Sequence, residues 1–139
     1  MARLLITFED DPHDDCGRLS VRVETAAFSG EGGVWTRPDD LSGFADTLSR
    51  YPIPADEPAR LELGYGAPDS RTIARVVVGP KNARGALAVQ VEINDEGDTG
   101  RGVRAGFETS YTGVESFVSQ LRALLRGGPT EAQLIGVDD

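Results

Sequence analysis

The chain has 139 residues, the usual length of one domain, and it can bury a core without disulfides or a structural metal. Its net charge of −9 argues against a nucleic-acid partner, because phosphate backbones repel an acidic surface. One cysteine excludes an internal disulfide, and no apolar stretch is long enough to span a membrane, so we expect one cytoplasmic domain over residues 1–139 with no membrane partner.

The first elements predicted along the chain are two strands that form a hairpin. Residues 3–9 and residues 18–28 alternate between apolar and polar side chains, which is typical of half-buried strands. Between them, residues 10–17 hold four aspartates, a proline and a glycine, which favour a polar turn. The apolar run at the start breaks into acid after Phe8 and is too short for a signal peptide.

A glycine-rich link and a helix follow the hairpin. Residues 29–33 contain three glycines but no following Gly-Lys-Ser/Thr, so they indicate a bend or bulge rather than a phosphate-binding loop. Residues 36–39, Thr-Arg-Pro-Asp, match a helix start with proline in the first turn. Pro52 ends this helix because the residue before a proline is disfavoured in helical conformation. The apolar face has helical spacing: Leu41, Phe44, Ala45 and Leu48.

The second half of the chain predicts a meander and a second helix. Residues 61–109 contain four alternating runs separated by turns, which indicates four antiparallel strands. Residues 112–115, Thr-Gly-Val-Glu, match a capping box, and Gly127 and Gly128 end the helix. Residues 133–137 are expected to pack as a short extended piece. The apolar positions of the helix are Val114, Phe117, Val118, Leu121, Leu124 and Leu125.

These elements predict an α+β fold. It consists of an antiparallel sheet of about six strands with two amphipathic helices packed on one face. Because most strands have one polar side, the other face of the sheet is expected to meet solvent or a partner.

Catalytic chemistry finds little support in the sequence, and we predict no catalytic residue. His13 is the single histidine, and the aspartates before Cys16 should raise the pKa of its thiol, which disfavours a nucleophile. Three acids, Glu62, Glu92 and Glu108, fall on the polar side of the predicted sheet. With Arg75 and Arg104 nearby they are interpreted as cross-strand ion pairs, although acids that converge in a cleft would suit an enzyme.

Metal and cofactor sites are not predicted either. The loop of residues 10–16 matches no defined calcium loop, and the turn of residues 94–100 has Thr99 where such a loop needs glycine. Zinc requires more histidine and cysteine than the chain has. Turn aspartates that bond their own backbone are the ordinary interpretation.

Partner binding is the remaining interpretation of the acidic turns. Trp35 is either a core residue beside the first helix or an anchor for a partner, since tryptophan is enriched at interface hot spots. The predicted partner-binding residues are Asp10, Asp11, Asp14, Asp15, Asp95, Glu96, Asp98 and Trp35.

Two segments resemble the WapI-like immunity proteins of bacterial polymorphic toxin systems. Residues 28–35, Phe-Ser-Gly-Glu-Gly-Gly-Val-Trp, are similar to a Phe-x-Gly-x-Gly segment with a tryptophan before a helix. Residues 40–48 are similar to its Leu-x-x-Phe-Ala-x-x-Leu helix, and residues 114–125 would be a second such helix, so the resemblance spans residues 28–126. It implies a non-enzymatic, stoichiometric inhibitor of a toxin. An acidic inhibitor suits a basic toxin because opposite charges speed association.

The sequence leaves three functions open. The first is a non-enzymatic protein-binding domain for a basic protein partner, most concretely an immunity-type inhibitor. The second is a homo-oligomeric structural or regulatory domain that pairs through a sheet face or an edge strand. The third is an enzyme that works through carboxylates or a bound metal.

Overall fold

The structure is a computed structural model that describes residues 1–65, 71–94, 102–128 and 131–138. Within these ranges the chain forms eight strands and two helices. In chain order they are β1 (Ala2–Asp10), β2 (Gly17–Glu24), β3 (Ser29–Thr36), α1 (Pro38–Leu48), β4 (Ala59–Tyr65), β5 (Arg71–Pro80), β6 (Ala86–Asn94), β7 (Gly102–Ser110), α2 (Tyr111–Leu125) and β8 (Ala132–Asp138).

All the strand pairs are antiparallel and belong to one sheet with the order β3-β2-β1-β8-β7-β6-β5-β4. The predicted α+β class, the acidic hairpin and the four-stranded meander are therefore confirmed. The prediction of about six strands is wrong, because the described chain forms eight. The glycine-rich link is part of a full strand, β3, and the residues near 133–137 form β8.

Strand β8 joins two groups of strands that are consecutive in the chain. On one side it pairs with β1, with Leu134 opposite Leu4, and on the other it pairs with β7, with Asp138 opposite Phe107. Gly136 makes the second pairing possible, because a Cβ there would overlap the Glu108 carbonyl and lie 2.5 Å from the Phe107 ring. The first three strands and the later four thereby share one hydrophobic core.

The buried side chains of the strands define an inner face of the sheet, and both helices pack their apolar sides into the same core. The predicted face of α1 is buried at all four positions, and α2 buries every predicted position except Leu125, which is half-buried. Neither helix is long and apolar enough to cross a membrane. In the described chain the inner face is thus covered by helices.

Strand β3 passes very close to side chains at the start of β7 and at the end of β6. An added Cβ at Gly30 would overlap the Val103 side chain, and one at Gly32 would lie 2.5 Å from Cγ2 of Ile93. Only glycine leaves room for this backbone to approach the core side chains. This packing is why a segment with three glycines is a strand here, although isolated propensity disfavours it.

The helix starts differ in detail from the predicted capping boxes. The N-cap of α2 is Ser110, whose Oγ accepts a hydrogen bond from Gly113 N at 3.1 Å, so the predicted cap at Thr112 is wrong by two residues. At α1 the acid that receives bonds is Asp40 rather than Asp39. Its carboxylate accepts from Thr36 Oγ1 at 2.5 Å and from Arg37 N at 3.3 Å.

We expect Gly32→Ala to lower the free energy of unfolding by about 1–3 kcal/mol, because its Cβ would push Ile93 out of position. The matched control is Gly43→Ala in α1, where an added Cβ meets no atom within 4 Å. That change should stabilise the protein by up to about 1 kcal/mol through helix propensity. Urea unfolding of both variants measures the difference, and equal stability of the two would contradict the close approach of β3.

Candidate functional site

The acidic loop between β1 and β2 is an exposed turn that bonds to itself. The Asp11 carboxylate accepts from His13 N at 2.9 Å, and the Asp14 carboxylate accepts from Asp15 N at 2.7 Å. Asp14 N donates to the Asp11 carbonyl at 3.2 Å, which closes the turn. The predicted role of turn aspartates as partners of their own backbone is therefore confirmed for Asp11 and Asp14. Asp14 and Asp15 are exposed in this arrangement, so the charge of the loop faces solvent.

Trp35 lies beside this loop, on the outer face of the sheet. Strand pairing sets Trp35 opposite Arg18 and sets Thr36 opposite Gly17, the residue that follows the loop. The side chain of Trp35 is 49% exposed, so its interpretation as a core residue is wrong. Arg37 Nε lies 4.0 Å from the Asp15 carboxylate and links the end of β3 to the loop. We call Asp10, Asp11, Asp14, Asp15 and Trp35 the acidic end.

A recess of about 430 Å³ opens between the acidic end and the edge strand β4. Trp35 and Arg37 line one side of it, and Glu62, Leu63 and Gly64 line the other. The exposed tryptophan therefore borders a concavity instead of projecting from a flat surface.

Two groups of the loop have shifted pKa values. The pKa of Asp15 lies below its ordinary value, first because of a hydrogen bond with the Asp14 carboxyl group and then because of the Arg37 charge. The pKa of the Cys16 thiol is raised, first by burial and then by the negative charges of Asp15 and Asp14. The thiol therefore stays protonated at neutral pH, which makes it a poor nucleophile, as the sequence predicts.

Ligand atoms of Asp14, Asp15 and Cys16 lie within 4.8 Å of one another. Exposed acidic groups come this close without a bound ion, and the raised thiol pKa disfavours the thiolate that a metal would bind. The proximity of these three groups is therefore not evidence of a metal site. The other predicted partner-binding acids, Asp95, Glu96 and Asp98, lie outside the described residues.

The acids and arginines of the meander form an alternating charged row on the outer face of the sheet. Glu62, Arg75, Glu92 and Arg104 stand directly opposite one another on β4, β5, β6 and β7. Arg75 bonds Glu62 at 2.8 Å and Glu92 at 3.3 Å, and Arg104 bonds Glu92 at 2.7 Å. Lys81 pairs with Glu108 at 3.0 Å. The predicted cross-strand ion pairs are confirmed, and each of these acids is matched by a base.

Exposed apolar side chains gather where β1 begins, β2 turns into β3 and β8 ends. We call Met1, Phe28, Ile135 and Val137 the apolar end; each is at least half exposed. Asp138 holds these segments together, accepting from Ala26 N at 2.7 Å and pairing with the Met1 ammonium at 3.1 Å. Sequence analysis missed this surface, although the apolar residues of 134–137 were a signal that β8 has no wholly polar side.

A scan of the chain against protein-family models finds no match, and a search of the curated proteins finds no significant match either.

The ion pair between Arg75 and Glu62 predicts a pH-dependent contribution to stability. Hydrogen bonds from Arg75 and then from Thr72 lower the pKa of Glu62. A lowered pKa in the folded state stabilises the protein above the unfolded value of about 4.3, and the gain disappears as the pH falls through the folded value.

We therefore expect Glu62→Gln to cost less than about 1 kcal/mol near neutral pH, since the pair is partly exposed, and we expect this cost to shrink as the pH falls and Glu62 takes up a proton. The control is Glu115→Gln, which removes an exposed charge on α2 that forms no ion pair with a described residue. Denaturant unfolding from pH 2 to pH 7 measures both variants. A pH-independent cost for Glu62→Gln would contradict the ion-pair assignment.

Proposed function

We propose that this protein is a non-enzymatic binding protein that captures a basic protein partner through its acidic end. The proposal includes the more specific role that the resemblance implies, a stoichiometric inhibitor that blocks a toxin, and a cytoplasmic location. One observation carries it: a half-exposed tryptophan stands next to four aspartates at a single end of the sheet.

The arrangement of the acidic end supports binding to a protein. Interfaces commonly combine an aromatic anchor with a polar rim, and tryptophan truncation is among the most costly changes at hot spots. Here Trp35 borders a recess that could receive a side chain of the partner, and the loop aspartates form the rim. The anchor would supply most of the affinity, and the rim would align the partner.

Charge supports a basic partner rather than an acidic one. The aspartates of the loop are opposed by one described base, Arg37, at 4.0 Å from Asp15, so most of their charge is uncompensated. Together with the net charge of −9, this would steer a positively charged protein toward the acidic end. Ionic strength should therefore change the association rate strongly.

A second candidate function is self-association into a homo-oligomeric structural or regulatory domain. The apolar end favours it, because Ile135 and Val137 expose aliphatic side chains on the outer face of a central strand. Contiguous exposed apolar surface often marks an interface. Analytical ultracentrifugation over a wide concentration range tests this candidate, and a monomer at every concentration removes it.

The first test of the proposed function is capture of a partner from the lysate of the native host with tagged protein, eluted in steps of rising salt. The expected result is one basic protein that elutes at moderate salt and then binds the purified chain in a one-to-one ratio. Recovery of the chain alone contradicts the proposal and strengthens the self-association candidate.

We expect Trp35→Ala to weaken binding to the captured partner by about 30-fold or more, which is the usual effect at a hot spot. Phe28→Ala is the matched control, since it removes an aromatic side chain of similar exposure at the apolar end. Calorimetric titration of both variants gives the comparison. Equal losses of affinity, or none for Trp35→Ala, would place the interface elsewhere.

Neutralising the loop by Asp10→Asn, Asp11→Asn and Asp14→Asn should mainly slow association and flatten its dependence on salt. Asparagine retains the side-chain oxygen that accepts the turn hydrogen bonds, so the loop should keep its shape. A control with the same net charge carries Asp56→Asn, Glu57→Gln and Glu115→Gln, three exposed acids that lie between α1 and β4 or on α2 and do not line the recess. Stopped-flow association rates should fall only in the loop variant; equal rates in the two would mean that net charge alone acts.

A further inference from the structure

The strand β3 is one edge of the sheet, and its hydrogen-bonding groups can be assigned from the hairpin that precedes it. Thr25 N donates to the Phe28 carbonyl at 2.8 Å, so Thr25 and Phe28 are a hydrogen-bonded pair. Hydrogen-bonded and non-hydrogen-bonded pairs alternate along an antiparallel ladder. The register of the β2–β3 pair then makes Gly30, Gly32 and Val34 the residues that bond to β2.

The remaining residues of β3 turn their backbone groups away from β2. At Ser29, Glu31 and Gly33 the N–H and C=O groups point to the free edge, and no described strand pairs with them. Two of the neighbours between these positions, Gly30 and Gly32, carry no side chain that could obstruct an approaching backbone. A free edge of this kind is a template for one further strand.

A groove of about 490 Å³ runs beside this edge. Its lining combines residues 29–33 of β3 with Arg18 of β2 and with three apolar residues of the meander, Ile73, Ile93 and Val103. Arg18 lies beside Gly33, so the basic residue of an added strand is not expected at that end of the groove. The other terminal strand of the sheet, β4, differs because α1 packs against it. The groove therefore gives the free edge of β3 room for an additional chain.

The two faces of β3 specify the side chains that an added strand would carry. Residues opposite Ser29, Glu31 and Gly33 would lie on the outer face. There Glu31 stands opposite Arg22 of β2, but the Arg22 guanidinium lies 3.7 Å from Glu24 instead, and Glu31 forms no ion pair with a described residue. A basic side chain opposite Glu31 would therefore be favoured by charge complementarity. Residues between these positions would point inward toward Ile93 and Val103, which favours apolar side chains there.

We propose that β3 binds an extended segment of the partner as a ninth strand, with a basic residue opposite Glu31 and β-branched residues on either side. Main-chain hydrogen bonds would give affinity, and the alternating side chains would give specificity. The site continues from Trp35 at the other end of the same strand. The inference rests on the proposed function only for the basic character of the partner.

The probe for this site is the synthetic peptide Ser-Thr-Val-Lys-Val-Thr-Ser, acetylated and amidated, titrated into the full chain and followed by NMR. The variants are Glu31→Pro, which removes the edge N–H, and Glu31→Ala, which removes the charge but keeps the N–H. Proline is tolerated on an edge strand where its nitrogen faces outward. We expect saturable binding that is about tenfold weaker for Glu31→Pro than for Glu31→Ala.

Hydrogen exchange of the unmodified chain gives a second measurement that does not depend on the folding of a variant. With the peptide bound, exchange of the Glu31 and Gly33 amides should slow, whereas the Gly30 and Gly32 amides should change little. No saturable binding, equal affinity of the two variants, or unchanged exchange at Glu31 and Gly33 would each overturn the inference.

Failure of this inference can be distinguished from failure of the proposed function. A captured partner whose affinity falls with Trp35→Ala but not with Glu31→Pro, relative to Glu31→Ala, would leave the function standing and remove the edge site. Peptide binding at β3 without any captured partner would leave the edge site standing and remove the proposed function.

Discussion

The antiparallel pairing of β8 with both β1 and β7 is the contact on which the rest of the structure depends. Without it the chain would hold two separate groups of strands, each with an inner face too small to bury its apolar side chains alone. With it the two groups curve around a common core, and β3 comes to lie across the ends of β6 and β7. Two close approaches result from this arrangement of the strands: Gly136 lies against Phe107, and Gly32 lies against Ile93.

The same arrangement divides the surface into regions of different chemistry. The charged row on β4 to β7 pairs each acid with a base, and it stabilises the outer face without leaving a net charge there. The acidic end, in contrast, carries aspartates that have little compensation and a tryptophan beside a recess. The free edge of β3, at residues 29–33, lies on the same strand as that tryptophan, toward the strand's other end. Binding chemistry is therefore concentrated on the first hairpin and β3, and the meander serves mainly as their support.

Local periodicity was enough to predict most elements of this fold. The helical spacing of Leu41 and Phe44, or of Phe117 and Leu121, has few structural alternatives, and the alternating runs of the meander were equally informative. Strands β3 and β8 were not predicted as full strands, because their stability comes from contacts with residues far away in the sequence. Nothing local in Ser-Gly-Glu-Gly-Gly shows that Ile93 and Val103 will pack against it. Nothing in residues 132–138 shows that this segment will pair between β1 and β7.

The candidate site, like the fold, could be predicted only in part from the sequence. The acidic loop could be predicted, since aspartate, proline and glycine specify a turn wherever they occur together. The exposure of Trp35 could not be predicted, because it depends on which face of β3 is turned toward the core. The three glycines that precede Trp35 in β3 give no alternation from which to infer that face. An edge strand could be expected in an open sheet, but not that β3 would be one, because this is a property of the strand order.

The pairing of β8 with β1 also has a consequence for how the protein is made. These two strands stand at nearly opposite ends of the described chain, so their contact closes a very long loop, and such contacts form late. During synthesis the first hairpin therefore emerges with one edge of β1 unpaired and with Leu4 and Ile6, on its inner face, not yet covered by the rest of the core. An uncovered apolar strand is prone to pair with other chains. The yield of native protein should accordingly depend on how soon residues 132–138 leave the ribosome, and a chaperone that shields β1 until then would raise it.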